Sequence, residues 1–275
     1  MGMNLFDKVF GIEFMDSVPS SAGVYEFKVE AKTIYVGKAK NLRDRFRQYR
    51  NTTRNKAHRK MREMVRVATA LTFHVVESEK EALLLENQLI QELKPTFNIS
   101  GAFSFMYPAL GVGYNDRVFY LCYSTDPEAF VNTVFKMHGV YRSRDLTKEA
   151  YYSLVRILNF LGHREPSQRL KKFPKIPYTN IAGFRQLHPE LAVELSDFLN
   201  GRNRNFLRVV INSLLEKTIE SSEAGKIQKA VNSLVEFFRE EANRLRKAKK
   251  KSGYKSEFLS QKERDRTFIL ARFAE

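Results

Sequence analysis

Tryptophan is absent from this 275-residue chain, and cysteine occurs once, at Cys122. A single cysteine excludes an intrachain disulfide framework and any all-cysteine metal or cluster site. No apolar run approaches the ~18 residues that a membrane-spanning helix needs. The start, Met1-Gly2-Met3-Asn4, lacks the charged region and apolar stretch of a signal peptide. Acidic residues are also short: 31 stand against 47 lysines and arginines, for a net charge of +16. Such a surplus says nothing about fold, but it favours polyanionic partners. An anionic membrane is the rival partner, yet no basic amphipathic helix with a clean apolar face stands out. What the chain has in quantity is apolar side chains, 43% of the total. At this length that is enough for about two ordinary domains, each with a core. The expectation is a cytoplasmic protein without membrane contact.

Residues 1–17 read as a short leader, with Phe6, Val9, Phe10 and Phe14 as packing points. Pro19-Ser20-Ser21-Ala22-Gly23 signals a turn. Strand-like runs at 24–29 and 33–38 are joined by Glu30-Ala31-Lys32, read as a three-residue hairpin loop. Asn41 is placed to cap a helix running to about Arg50, and a second basic helix fits 55–68. A third strand fits 71–77. Ser78 and Glu81 form a capping box for a helix with Ala82, Leu85, Leu89 and Leu93 at helical spacing, stopped by Lys94-Pro95. Residues 18–100 therefore read ββααβα, an α/β unit with a small antiparallel or mixed sheet flanked by helices.

Residues 101–188 read as a mixed α/β middle region. It holds two strands within 101–125, short helices at 127–135 and 147–161, and an irregular, proline-rich basic linker at about 164–189. Residues 189–275 read as mostly helical, with helices near 189–200, 203–219 and 222–250. The run 244–255 has no acidic residue and is expected to fray, as either a DNA contact or a solvated, mobile helix end.

Cleaving a phosphodiester requires a nucleophile, charge stabilisation, help for the leaving group and a grip on the backbone. A divalent ion supplies the second and part of the third. Magnesium needs only one or two carboxylates, with water and phosphate oxygens completing its shell. Glu86 is one such carboxylate, set among Leu83, Leu84, Leu85 and Leu89; by itself it also fits the polar face of an amphipathic helix. Tyr25 and Tyr35, on adjacent strands, are expected as near neighbours across the hairpin. They are either half-buried packing residues or phenols able to bind a water or phosphate, one serving as a base beside a cation. Gly37 either permits a tight turn ahead of the helix or merely ends the strand. Arg45 offers a forked donor to a phosphate oxygen, or is one solvated charge among many. Basic residues crowd the segment from Lys38 to Arg66, opposed only by Asp44 and Glu63. Lys40, Arg43, Arg47, Arg50, Arg54, Lys56, Arg59 and Lys60 are its candidate phosphate contacts, with strongly salt-dependent binding expected.

Taken in order, these residues resemble the GIY-YIG nuclease domain of the UvrC and Cho excinuclease family. The resemblance is carried by Pro19 to Tyr25, by Ile34-Tyr35-Val36-Gly37-Lys38-Ala39-Lys40-Asn41-Leu42 with Arg45 and Tyr49, and by Glu79 to Asn98. It covers about residues 18–99. It implies that Glu86 holds a single Mg²⁺ or Mn²⁺, that Tyr25 or Tyr35 activates the attacking water, and that Lys38 takes up charge. Arg45 would steady the scissile phosphate beside Tyr49, and Asn98 would orient a site residue or metal-bound water. The implied reaction is hydrolysis of one DNA strand, on the 3′ side in nucleotide excision repair, by a bacterial enzyme acting at the nucleoid. Further on, Phe105-Met106-Tyr107-Pro108 falls where the family has a Ser-Tyr-Pro element, and Gly139-Val140-Tyr141 stands near its Phe-Gly-Pro element without reproducing it. Phe198-Leu199-Asn200-Gly201 resembles the lead into the hairpin that binds the excinuclease B subunit. Glu223, Ala224 and Lys226 replace that hairpin's Phe-Glu-x-Ala-Ala pattern, so the B subunit is implied only in part, beside DNA. No cysteine cluster is present, so no iron–sulfur cluster is expected.

His58, His74, His138, His163 and His188 lack metal-ligand spacing and read as surface or partly buried residues. Cys122 reads as core, and the phenylalanine-rich stretch 103–107 as packing against the nuclease domain in preference to contacting bases. The reading is a metal-dependent DNA endonuclease. Its rival is a non-catalytic or partner-dependent nucleic-acid-binding subunit of a repair or recombination assembly. A mobile-element or restriction nuclease is disfavoured by the region after residue 100.

Overall fold

The computed structural model describes residues 3–53, 55–98, 107–217 and 221–274. The chain divides into two units, residues 1–104 and 105–275.

In the first unit, β1 (Gly23–Val29) lies between β2 (Lys32–Ala39) and β3 (Ala70–Val75), with both pairings antiparallel. Alternate side chains of a strand point to opposite faces, and both faces here are covered. Tyr25 and Phe27 join a cluster with Phe6 of α1 (Leu5–Phe10), Phe46 and Tyr49 of α2 (Leu42–Arg50), and Val65 of α3 (Arg59–Val67). Val24 and Val36 pack on the other face against Ala82 and Ile90 of α4 (Glu79–Leu93). The element order ββααβα is as the sequence indicates.

The helix starts follow local capping chemistry. Asn41 accepts from the Asp44 N–H, and Ser78 accepts from the Glu81 N–H. Glu81 reaches the N–H of Glu77, one residue before the usual capping-box partner, at 3.0 Å. Lys94, left-handed at φ 45°, ends α4. Residues 3–17 are anchored in this unit. Phe6 meets Phe10, Phe14 and Phe46 ring to ring, and the buried Asp7 carboxylate accepts from Arg50 at 2.8 Å.

The hairpin differs from expectation. Its loop is two residues, because Val29 pairs with Lys32, and Glu30 takes φ 53°. The register then shifts between Phe27 and Lys28, so Phe27 faces Tyr35 and Tyr25 faces Gly37. Tyr25 and Tyr35 are thus diagonal neighbours, with ring centroids 6.1 Å apart.

The second unit has a five-stranded antiparallel sheet in the order β6-β4-β5-β8-β7. Its strands are β4 (Ala109–Asn115), β5 (Val118–Ser124), β6 (Lys136–Gly139), β7 (His163–Arg164) and β8 (Asn180–Arg185). Leu110, Phe119, Leu121 and Phe184 share a core with α5 (Arg144–Leu161), α6 (Glu190–Leu199), α7 (Asn205–Leu215) and α8 (Ser221–Phe237). Tyr120 and Cys122 face a smaller cluster with Phe130, Phe135 and Phe173, so Cys122 is core. A π-helical segment, Phe238–Ala242, joins α8 to α9 (Asn243–Ser252), and α10 (Gln261–Arg272) follows.

Four expectations are corrected here. The supposed linker at 164–189 contains β8, which pairs with β5 from Asn180 to Arg185. The supposed helix at 127–135 is one 3₁₀ turn, Pro127–Phe130, leading to β6. The basic run 244–255 does not fray: Leu245 and Ala248 are buried, and α9 continues to Ser252, where left-handed Gly253 ends it. His138 is fully buried, with Nδ1 3.2 Å from Asn200 Oδ1, and burial pushes its pKa down to about 4. The stretch 103–106 lies outside the described residues. No helix among the described residues is long and apolar enough to cross a membrane.

Gly201 follows α6 at φ 68°, and a Cβ there would stand 2.4 Å from the Ala242 carbonyl oxygen. Both facts demand glycine. Gly201→Ala is expected to lower stability by about 1–3 kcal/mol, read as an earlier urea midpoint with an unchanged slope.

Candidate active site

β2 is an edge strand, and the outward backbone groups of such a strand need partners. Here the segment after α4 and one side chain of α4 provide them. The Phe97 N–H donates to Ile34 O at 2.9 Å. Asn98 accepts from the Val36 N–H and donates to Val36 O, both at 2.8 Å. Two residues on, the Lys38 N–H donates to Glu86 Oε1 at 3.1 Å. The edge is thus finished by side chains, and finishing it fixes the Glu86 carboxylate beside Lys38.

Tyr35, Lys38, Lys40, Asn41, Arg45 and Glu86 line one open cleft at this end of β2. Burial raises the pKa of Glu86, and Lys38, through its charge and its backbone N–H, works against that rise. Burial also raises the Tyr35 phenol; Tyr25 adds to the effect and Arg45 opposes it. The Lys38 ammonium lies 3.5 Å from Glu79, which also pairs with Lys40 at 2.9 Å.

Tyr25 and Tyr49 stand behind the cleft, fully buried. Their hydroxyls are 3.1 Å apart, and Arg45 Nε donates to Tyr25 Oη at 2.9 Å. Burial raises the Tyr49 phenol, and Tyr25 adds to it. The ring of Tyr25 fits because its cross-strand partner is Gly37: a Cβ there would lie 2.5 Å from the Tyr25 hydroxyl. Gly37 therefore sits inside a strand and clears space for a ring, instead of making a turn.

The structure separates the basic residues. Arg43 Nε donates to Val18 O at 2.8 Å, Arg50 holds Asp7, and Arg47 pairs with Asp44 at 3.1 Å. These three are tied to their own unit. Lys40, Lys56, Arg59 and Lys60 are exposed, and the Lys60 ammonium stands 5.2 Å from the centre of the Tyr35 ring. Arg54 lies outside the described residues. Three charged or polar neighbours of the cleft were not singled out from sequence: Asp44, which also lines it, Gln48 and Glu79. Gln48 accepts from Arg45 Nη1 at 2.8 Å, an i,i+3 pairing on α2 that helical spacing could have suggested. Glu79 meets its lysines only through the tertiary fold.

Among the described residues no group of three or more His, Cys, Asp or Glu is gathered as a metal cage. One half-buried carboxylate, its Oε2 without a protein donor among the described residues, is a donor set that fits a hydrated Mg²⁺ or Mn²⁺. It does not fit a transition-metal cage of nitrogen and sulfur.

Residues 21–99 match the family model of the UvrC-like GIY-YIG domain. UvrABC system protein C of Clostridium novyi is 29% identical over 233 residues, 82% of this chain and 37% of that protein. The corresponding protein of Cytophaga hutchinsonii is 48% identical over 86 residues, 31% of this chain and 14% of that protein. The chain thus spans well under half the length of these curated relatives. A crystal structure of the GIY-YIG N-terminal endonuclease domain of UvrC from Thermotoga maritima, bound to magnesium as its catalytic divalent cation, is 36% identical. It covers 31% of this chain and 91% of that one, with a TM-score of 0.28.

The raised pKa of Glu86 has a stability consequence. The folded protein binds this proton more tightly than the unfolded chain does, so the stability involved is complete below the ordinary value of 4.5 and is lost as pH rises through the folded value. Glu86→Gln cannot ionise. Metal-free Glu86→Gln is expected to unfold at a higher urea concentration than wild type at pH 7, with the gap closing toward pH 4.

Proposed function

Because residues 21–99 are a UvrC-like GIY-YIG nuclease domain, we propose that the chain is a metal-dependent DNA endonuclease hydrolysing one phosphodiester in one strand. The observation that carries the proposal is the single cleft shared by a carboxylate, a phenol, an ammonium and a guanidinium: Glu86, Tyr35, Lys38 and Arg45. Adjoining Lys40 and Lys60 supply the positive approach for a DNA backbone.

Glu86 is the residue that would hold Mg²⁺ or Mn²⁺, held in place by the Lys38 N–H. When bound, the cation supplies neutralising charge for the phosphate and lowers the pKa of nearby water. Tyr35 is the phenol with access to that water. At neutral pH it keeps its proton, so its oxygen accepts a hydrogen bond from the water and aligns it for attack. Arg45, whose charge opposes the burial-driven rise in the Tyr35 pKa, would favour the phenol giving its own proton to solvent in the open cleft as it takes one from the water. Arg45 donates to the scissile phosphate, with the buried Tyr25–Tyr49 pair fixing its Nε. Lys38 offsets charge building on the phosphate oxygens. Asn98 acts as a positioning residue through the backbone of Val36.

The curated relatives belong by name to the UvrABC system. By extension this chain would act in nucleotide excision repair, incising on the 3′ side, with the excinuclease B subunit as a protein partner.

Purified protein with nicked, branched and lesion-bearing DNA in Mg²⁺ or Mn²⁺ tests the proposal. Glu86→Ala and Arg45→Lys are each expected to slow single-turnover cleavage by about 10²–10³-fold, the scale for losing one stabiliser of transition-state charge. Tyr35→Phe should slow cleavage while leaving DNA affinity intact. Cleavage by Glu86→Ala at the wild-type rate would remove the cleft as the site of cutting.

A further inference from the structure

The second unit carries its own concentration of unopposed charge. Residues 244–255 contain no acidic side chain. With Leu245 and Ala248 buried, α9 turns Arg246, Lys247, Lys250 and Lys251 to solvent. At Gly253, φ 73°, the chain reverses, and the Tyr254 N–H donates back to Lys249 O at 2.9 Å. The returning segment and α9 bound a depression lined by Arg202, Arg246, Lys249, Tyr254, Lys255 and Glu257.

The carboxylate in this depression is already engaged. Glu257 meets Lys136 at 2.7 Å and Arg202 at 2.8 Å, and Asn200 donates to it at 3.3 Å. Lys249 donates to the Glu257 carbonyl oxygen, and burial disfavours its charge. Arg246, Lys247, Lys250, Lys251 and Lys255 have no carboxylate partner among the described residues. The depression therefore keeps a positive excess, drawn from α9 and the segment that turns back after it.

We infer that α9 and the turn after it form a second nucleic-acid grip, which takes the phosphodiester backbone of DNA independently of the cleft at β2. Arginine, lysine, serine and asparagine side chains are the usual donors to backbone phosphates. Arg246, Lys255 and Ser256 supply them here, while Arg202 and Asn200 hold Glu257 and Arg202 also holds Asp197 at 2.7 Å. Arg246 and Lys250, like Lys247 and Lys251, stand four residues apart on α9. Their separation along the helix axis is ~6 Å, over which one strand of duplex DNA advances by about two phosphates. Such a grip reads charge and spacing and carries no base preference.

The full-length chain in EDTA, with a fluorescent duplex, allows binding to be read apart from cleavage. The variant joins Arg246→Gln, Lys250→Gln and Lys255→Gln, which keeps good helix formers on α9. The control joins Lys148→Gln, Lys175→Gln and Lys229→Gln, which removes the same charge from exposed positions elsewhere in the second unit. With thermal midpoints close to wild type, the variant is expected to bind DNA about 10–10²-fold more weakly. Its slope of log affinity against log salt should be shallower by about 2–3, and the control should stay near wild type. Equal loss in variant and control would reduce the effect to net charge and overturn the grip. So would unchanged DNA binding by the variant together with lost binding to phosphatidylserine vesicles.

Discussion

The free edge of β2 is the constraint around which the first unit is built. A strand with one side open invites pairing with foreign chains. This one is closed without a fourth strand, by the Phe97 N–H, the Asn98 amide and the Glu86 carboxylate, each meeting an outward backbone group. The geometry requires α4 to run its full length and stop at left-handed Lys94, so that the chain returns along β2. Closing the edge and aiming the carboxylate are one act. That is why the half-buried Glu86 carboxylate stands fixed beside Lys38.

The opposite face of the sheet sets the other half of the cleft. Tyr25 is buried against Phe27, Phe46 and Tyr49, and only its hydroxyl does polar work, on Arg45. The guanidinium is therefore positioned by an aromatic core instead of a surface contact. Gly37 makes this possible by leaving room beneath the ring. Core packing and the placing of Arg45 share residues here, so a change of volume in one disturbs the other.

What could be read from sequence was what depends on neighbours in the chain. The caps at Asn41 and Ser78, the helical spacing of Ala82, Leu85 and Leu89, and the two-residue alternation around Tyr25 and Tyr35 are local signals, and the structure realises them. Of the candidate residues, Tyr35, Lys38, Arg45 and Glu86 meet in the cleft, while Tyr25 and Tyr49 lie buried behind it and Asn98 bonds the edge of β2 at Val36. The hairpin register was not legible, because a bulge between Phe27 and Lys28 shifts it without altering the apolar alternation. Nor were the partners of Arg43 and Arg50, which come from Val18 and Asp7, remote in sequence. β8 escaped notice because Gly183 interrupts a short run among prolines, a pattern that reads as loop until β5 is seen beside it.

The anchoring of α1 has a practical meaning for dissecting this molecule. The family match starts at residue 21. A fragment cut there would discard Phe6, Phe10 and Phe14, leaving Phe46 without the rings of Phe6 and Phe14, Phe73 without that of Phe14, and Arg50 without its acidic mate. The smallest piece able to keep the nuclease half in shape is therefore longer, at its amino end, than the stretch by which its kinship is recognised.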